Sequence, residues 1–243
     1  VPMGMQLRSE ERIWYQISLN YSSGGCEPPE VGSENLHKSC ISLKCLANLH
    51  CQFLKSYSTV QQTFRQMGSD DVSLDPATYP RATYYKTFSQ YVKVAVDCGT
   101  WSSGDAKNKP PVCFNFKYVD NNLTIGATYK TLDGGGFDDR IFDDGQLVLM
   151  DGTNLMFENQ TANRIFVSVD LNGFKNPPNR VGYDLFTFQF LDGELRTMGS
   201  KGTAYSVETY CNPNVRNQYN GIACAHKAKN DTEYFKWVVK NIK

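Results

Sequence analysis

Eight cysteines, three histidines and two clusters of acidic residues are the side chains in this 243-residue chain with chemistry to offer. The cysteines are Cys26, Cys40, Cys45, Cys51, Cys98, Cys113, Cys211 and Cys224. Their number is even and none stands in a Cys-x-x-Cys pair, which points to disulfides and an oxidising compartment. Cys98 and Cys113 bracket a turn-rich segment, and Cys211 and Cys224 bracket a second one rich in Asn and Gly. Each is expected to form a local bridge, and closing loops of this size contributes about 3 kcal/mol in the chain-entropy model. Cys26, Cys40, Cys45 and Cys51 are also expected to form disulfides, with three pairings open. His37 and His50 crowd in with Cys40, Cys45 and Cys51, a composition that suits tetrahedral zinc. The short knuckle spacing is absent, so disulfides rank ahead of metal.

Two acidic groups offer hard oxygen ligands. In the first, Asp170, Asn172 and Asp184 flank Gly173. Calcium takes six to eight oxygens from such side chains and from carbonyls, which makes it the one candidate cofactor. The competing reading, which ranks ahead, has these residues hydrogen-bonding their own backbone to shape a turn. The second group is Asp133, Asp138, Asp139, Asp143 and Asp144, interleaved with Gly134-Gly135-Gly136. Five carboxylates in twelve residues could bind a cation, but the reading that ranks ahead is a solvated loop. Those glycines lack the Lys-Ser/Thr that a phosphate-binding loop needs.

No catalytic constellation stands out. There is no His-Glu-x-x-His pattern and no Gly-x-Ser-x-Gly elbow. Cys224 and His226 would share a face on a strand, but pairing with Cys211 is the expected fate of Cys224. The chain is therefore read as not an enzyme. Its 25 basic and 25 acidic residues cancel, and no basic block invites nucleic acid. No apolar run approaches the roughly 18 residues of a membrane span, and residues 1–10 are not a signal peptide. The sequons at Asn20, Asn122, Asn159 and Asn230 are taken as chance occurrences in an Asn-, Ser- and Thr-rich chain.

The elements that must position these residues divide into helix first and strand later. Residues 1–45 show no period, and are expected to form an irregular arm or to be foreign to the natural chain. Leu46, Leu49, Phe53, Tyr57, Val60, Phe64 and Met67 recur every three or four residues, which predicts a helix ending near Gly68. A shorter helix is expected over residues 82–92. Val112 to Tyr118, Gln146 to Met150, Leu155 to Phe157, Arg164 to Val169, Leu185 to Leu191 and Glu194 to Thr197 read as strands. Asp151-Gly152 and Asp192-Gly193 are hairpin dipeptides. The fold class is therefore α+β, a helix packed on one face of an antiparallel sheet.

One stretch is more specific. Asp170-Leu171-Asn172-Gly173 ends a strand, Asn176-Pro177-Pro178-Asn179 turns, and Gly182-Tyr183-Asp184-Leu185-Phe186-Thr187-Phe188 opens the next strand. This run resembles the heads of bacterial type IV pilin-like and type II secretion pseudopilin-like proteins. Lys55-Ser56-Tyr57-Ser58-Thr59, Tyr91-Val92-Lys93-Val94 before Cys98, and Leu149-Met150-Asp151-Gly152-Thr153 follow the same order, and Cys211 and Cys224 look like the C-terminal bridge of such heads. The resemblance covers residues 46–243 as one pilin-like globular domain with disulfide-bridged loops. It implies a structural subunit of a pilus or secretion filament, at the bacterial cell surface or in the periplasm. The implied partners are like subunits, other pilins and secretion-system components, and some members hold calcium. Pilins begin with a processing site, a glutamate and an apolar helix that enters the membrane. Residues 1–45 contain nothing like it, so membrane contact is expected only through a native helix absent from this chain. The alternative is a secreted or surface adhesin that binds through exposed aromatic loop residues such as Trp101.

Overall fold

The structure is a computed structural model that describes residues 34–100, 109–115, 118–119, 122–123, 128–159 and 164–242. The chain divides into two compact units, residues 1–40 and 41–243. Of the first, only the opening of a helix is described. The second holds the sheet and the core.

Helix α1 spans Glu34–Ser69. It starts well before Leu46, so the expectation of an irregular arm fails for residues 34–45. The sequence there lacks a one-sided apolar stripe, which removes the periodic signal. Farther along, the predicted stripe is the buried face: Leu49, Phe53, Tyr57, Val60, Phe64 and Met67 all lie in the core. Helix α2 is shorter than predicted, at Tyr84–Ser89.

The sheet has six strands in the order β1-β4-β5-β6-β7-β8, all antiparallel. They are β1 Val94–Gly99, β4 Gln146–Leu149, β5 Asn154–Glu158, β6 Ile165–Asp170, β7 Leu185–Leu191 and β8 Glu194–Thr197. Strands β2 Tyr118–Val119 and β3 Asn122–Leu123 form a separate pair. Of the strand expected over Val112 to Tyr118, the start turns at residues 111–113, where Cys113 is bridged to Cys98 at the end of β1, and Tyr118 belongs to a short strand. The β7–β8 turn has Asp192 at φ 53° and Gly193 at φ 77°. Positive φ at both central residues is the tight hairpin geometry whose twist suits the flanking strands. Three short helices close the chain, α3 Val207–Tyr210, α4 Cys224–Asn230 and α5 Tyr234–Asn241.

The helix stripe lies along β7. Phe53 meets Phe186 edge-on at 4.8 Å, Tyr57 meets Phe188 at 5.3 Å, and Phe64 stacks on Phe190 at 4.5 Å. A helix rises about 1.5 Å per residue and a strand about 3.4 Å. The stretch from Phe53 to Phe64 therefore advances about 16 Å along the helix, close to the roughly 14 Å from Phe186 to Phe190 along the strand. Burying each such ring contributes roughly 1.5–3 kcal/mol.

The opposite face of the sheet is buried as well, a second layer beyond the single helix-covered face expected. Loops and a short 3-10 helix, Asp139–Phe142, cover it: Tyr129, Phe137, Ile141 and Phe142, with Met198 and Ile222 from two later segments, pack on Met156, Phe166 and Leu185. The strands present a mixed face to these loops, with Asn154, Ser168, Asp170, Thr187 and Gln189 buried among the apolar residues. Between loop and strand lies Gly145, at φ +153°. A Cβ there would sit 2.2 Å from Tyr85 Cγ, so only glycine lets α2 approach the entry of β4.

Candidate functional site

Strand β6 delivers Asp170 to the sheet's loop-covered face, and the chain then turns back through Asp184 into β7. Asp170 Oδ1 accepts N–H groups from Asn172 at 3.3 Å and Gly173 at 2.9 Å. Its Oδ2 accepts the Tyr129 hydroxyl at 2.8 Å. Asp184 accepts the N–H of Asn179 on Oδ2 at 2.9 Å and that of Arg180 on Oδ1 at 2.7 Å. Asn172 and Asn176 bond each other's carbonyls through their side-chain amides. Tyr129 reaches Asp170 because its own segment is sewn to the turn: Lys130 N–H donates to Asn179 O, and Val181 N–H donates to Lys130 O, both at 2.9 Å.

Asp170, Asn172 and Asp184 are thus brought to one turn, and both carboxylates accept protein donors on each oxygen. This is the side-chain-turn arrangement. Asn172 Oδ1, at the same turn, is buried without a donor. Burial, and then the Asp184 charge, push the Asp170 carboxyl up to about 7, against the pull of Tyr129 and the turn amides. Burial pushes Asp184 up to about 6, against the amides of Arg180 and Asn179.

The second acidic run is not a solvated loop. Asp138, Asp139 and Asp144 are buried beneath the loops. Asp138 is paired with Arg140 and accepts the Tyr219 hydroxyl at 2.9 Å. Asp133 accepts Thr131 Oγ1 at 2.6 Å. Asp139 keeps one buried oxygen without a partner, and burial, then the Asp138 charge, push it up to about 8. The loop closes over the sheet because its glycines and acids alternate with Phe137, Ile141 and Phe142, an apolar signal hidden by the charges. Asp143 and Asp144 stand beside Glu158 of β5.

The two local disulfides, Cys98–Cys113 and Cys211–Cys224, are formed. Cys51 departs from the disulfide expected of it: it is a free, exposed thiol. It lies on α1 away from the Phe53 stripe, where the helix turns it to solvent. Cys26 lies outside the described residues, as do the side chains of Cys40, Cys45 and His37. His50 is engaged in packing, stacked on Phe235 at 5.2 Å. His226 belongs to α4, not to a strand, and Cys224 is consumed by its bridge.

An open groove of about 770 Å³ runs between α1, β8 and α4. Tyr57, Phe64 and Leu195 contribute apolar surface to it, and Arg65, Lys201 and Lys229 contribute charge. Lys229 Nζ lies 4.1 Å from the centre of the Tyr57 ring and donates to its hydroxyl at 2.8 Å. Sequence reasoning has no means to find this groove, because its residues come from three distant segments.

The chain matches no protein-family model, no curated protein and no solved structure. The functional reading therefore rests on the residues and on their geometry. Two disulfides fit an oxidising compartment, and among the described residues no helix is long and apolar enough to cross a membrane.

Proposed function

We propose that this chain is a structural subunit of a filament, of the type IV pilin or type II secretion pseudopilin kind, at the bacterial cell surface or in the periplasm. The observation that carries the reading is helix α1 laid along β7 of an antiparallel sheet, with the Asp-x-Asn-Gly turn leading into that strand and a C-terminal disulfide in the same core. This is the order of pieces on which the resemblance rests. In cells carrying the natural gene, antibodies against residues 46–243 are expected to decorate filaments, and deletion of the gene to shorten or abolish them. Envelope labelling without filaments, together with unchanged filaments in the deletion strain, would overturn the reading.

A binding module is the second reading, and the basic, aromatic-floored groove beside β8 favours it. Trp101, the other contact proposed from the sequence, lies outside the described residues. Lys201→Glu with Arg65→Glu would abolish surface adhesion if the groove carries it, and would leave adhesion unchanged if filament assembly is the whole function.

A further inference from the structure

Strand β8 is the last strand of the six-stranded sheet, so one of its edges has no neighbouring strand. Its register with β7 is unbroken from Leu191–Glu194 to Phe188–Thr197, and Met198 N–H continues the ladder to Thr187 O at 3.0 Å. In an antiparallel ladder, residues that bond the partner strand alternate with residues that do not. By this alternation Glu194, Arg196 and Met198 bond β7, and the main-chain groups of Leu195 and Thr197 point to the free edge. Two contacts agree: Leu195 O accepts the Tyr57 hydroxyl at 3.4 Å, and Thr197 O accepts Ser200 N–H at 3.0 Å. The groove between α1, β8 and α4 opens onto this edge, because residues of both faces of β8 line it, Leu195 and Thr197 from one and Glu194 and Arg196 from the other. The opposite edge of the sheet differs. Strand β1 pairs with β4 through two register shifts, and such irregularities turn an edge away from further pairing.

The groove carries an excess of positive charge. Arg196 is offset by Asp192 at 3.3 Å and by Glu194 at 3.9 Å. Arg65, Lys201 and Lys229 are exposed, and none of them has an acidic partner among the described residues. We propose, resting on the binding-module reading of this groove, that the free edge of β8 takes an extended, acidic segment of another polypeptide as a seventh strand. The guest pairs its main chain with Leu195 and with the Thr197 N–H, and its carboxylates reach Arg65, Lys201 and Lys229. Main-chain pairing supplies affinity, and the cations select for acid. The Tyr57 hydroxyl is the group that yields to the guest, and its bond to Leu195 O is longer than the usual range of about 2.5–3.0 Å between oxygens. An anionic glycan would meet the three cations but leave the strand edge unused.

The test is fluorescence anisotropy of a labelled peptide of alternating Val and Glu, titrated with the full chain. Its Val-Lys counterpart, the Val-Glu peptide with every backbone amide N-methylated, and a sulfated oligosaccharide serve as comparisons. The Val-Glu peptide is expected to bind, and the Val-Lys and N-methylated peptides to bind at least about tenfold more weakly. Arg65→Glu with Lys201→Glu is expected to weaken binding by a similar factor. Thr197→Pro removes an outward N–H, a change that an edge strand accommodates, and is expected to weaken binding without altering the charge. If Thr197→Pro fails to fold, the N-methylated peptide makes the same comparison on the unaltered protein. Absence of an anisotropy change up to about 1 mM protein, equal binding of the N-methylated peptide, or tighter binding of the oligosaccharide overturns the proposal. The binding-module reading falls separately, if adhesion persists in the Arg65→Glu, Lys201→Glu variant. Loss of adhesion in that variant with no peptide binding overturns the seventh strand alone.

Discussion

Asp184 and Asp139 are both buried beneath the loops, but their surroundings differ. Asp184 takes main-chain N–H groups from Asn179 and Arg180, at 2.9 and 2.7 Å. Asp184→Ala would take the acceptor from both amides at a part-buried turn. Each such loss costs about 1–3 kcal/mol, so a fall of roughly 2–5 kcal/mol is expected in urea unfolding at neutral pH. A fall below about 1 kcal/mol would mean that the turn does not depend on this carboxylate. Asp139 has one oxygen with no partner, and its carboxyl is pushed up to about 8 by burial and the Asp138 charge. The folded protein therefore holds a proton that the unfolded chain releases near pH 4. Stability from this group is complete below the unfolded value, declines as pH rises, and is gone once pH passes the folded value. Asp170 and Asp143, each pushed up to about 7, act in the same direction. Urea midpoints measured in chelator are expected to fall steadily from pH 5 to 8, and Asp139→Asn to flatten the upper part of that decline. An unchanged slope in the variant would show that Asp139 is ionised throughout.

Helix α1 and strands β4 to β8 carry local signals, and these were legible. The Phe53-to-Met67 stripe has a period near 3.6, and Asp192-Gly193 sits between two alternating runs, so neither needs tertiary information to be read. The turn function of Asp170 and Asp184 was legible for the same reason, since side-chain turns are made within a few residues. Contacts between segments were not legible. Tyr129 reaches Asp170 across 41 positions, and nothing around Tyr129 marks it as a partner. Asp143 and Asp144 meet Glu158 only because the sheet register brings Gly145 against Phe157. The run of aspartates looks solvated because charge pattern alone does not reveal the phenylalanines that pull the loop inward. At α1 the aromatic ladder gives a sharp expectation. Phe53 is fully buried and touches Phe186, Phe188 and Phe235, so it joins the helix to both β7 and α5. Phe53→Ala should cost about 3–5 kcal/mol by chemical denaturation. Gln52, its neighbour on the same helix, lies outside the buried stripe, so Gln52→Ala should stay within about 0.5 kcal/mol of wild type. Equal losses at the two positions would mean that the helix is not docked on β7.

The two disulfides close loops of similar separation, 15 and 13 residues, so loop entropy alone gives them nearly equal weight at about 3 kcal/mol each. Their settings are not equal. Cys98 and Cys113 pack in a small satellite cluster with Val148, beside the edge strand β1. Cys211 and Cys224 belong to the main core, where Cys224 is fully buried next to Gly182 and within the packing of α4 and α5. The Gly182 carbonyl in turn accepts the buried Tyr234 hydroxyl of α5. Removing this bridge therefore loosens the join between the C-terminal helices and the sheet as well as freeing a loop. A loss of about 3 kcal/mol lowers the melting temperature of a domain this size by roughly 6–12 °C, and that is the expected effect of Cys98→Ala with Cys113→Ala. Cys211→Ala with Cys224→Ala should melt lower still, because a cavity in the main core adds to the lost constraint. Scanning calorimetry of the two double variants decides the matter. If the first pair proves the more damaging, the mechanical centre of the molecule lies at the β1 edge and not at the junction of the C-terminal helices with β7.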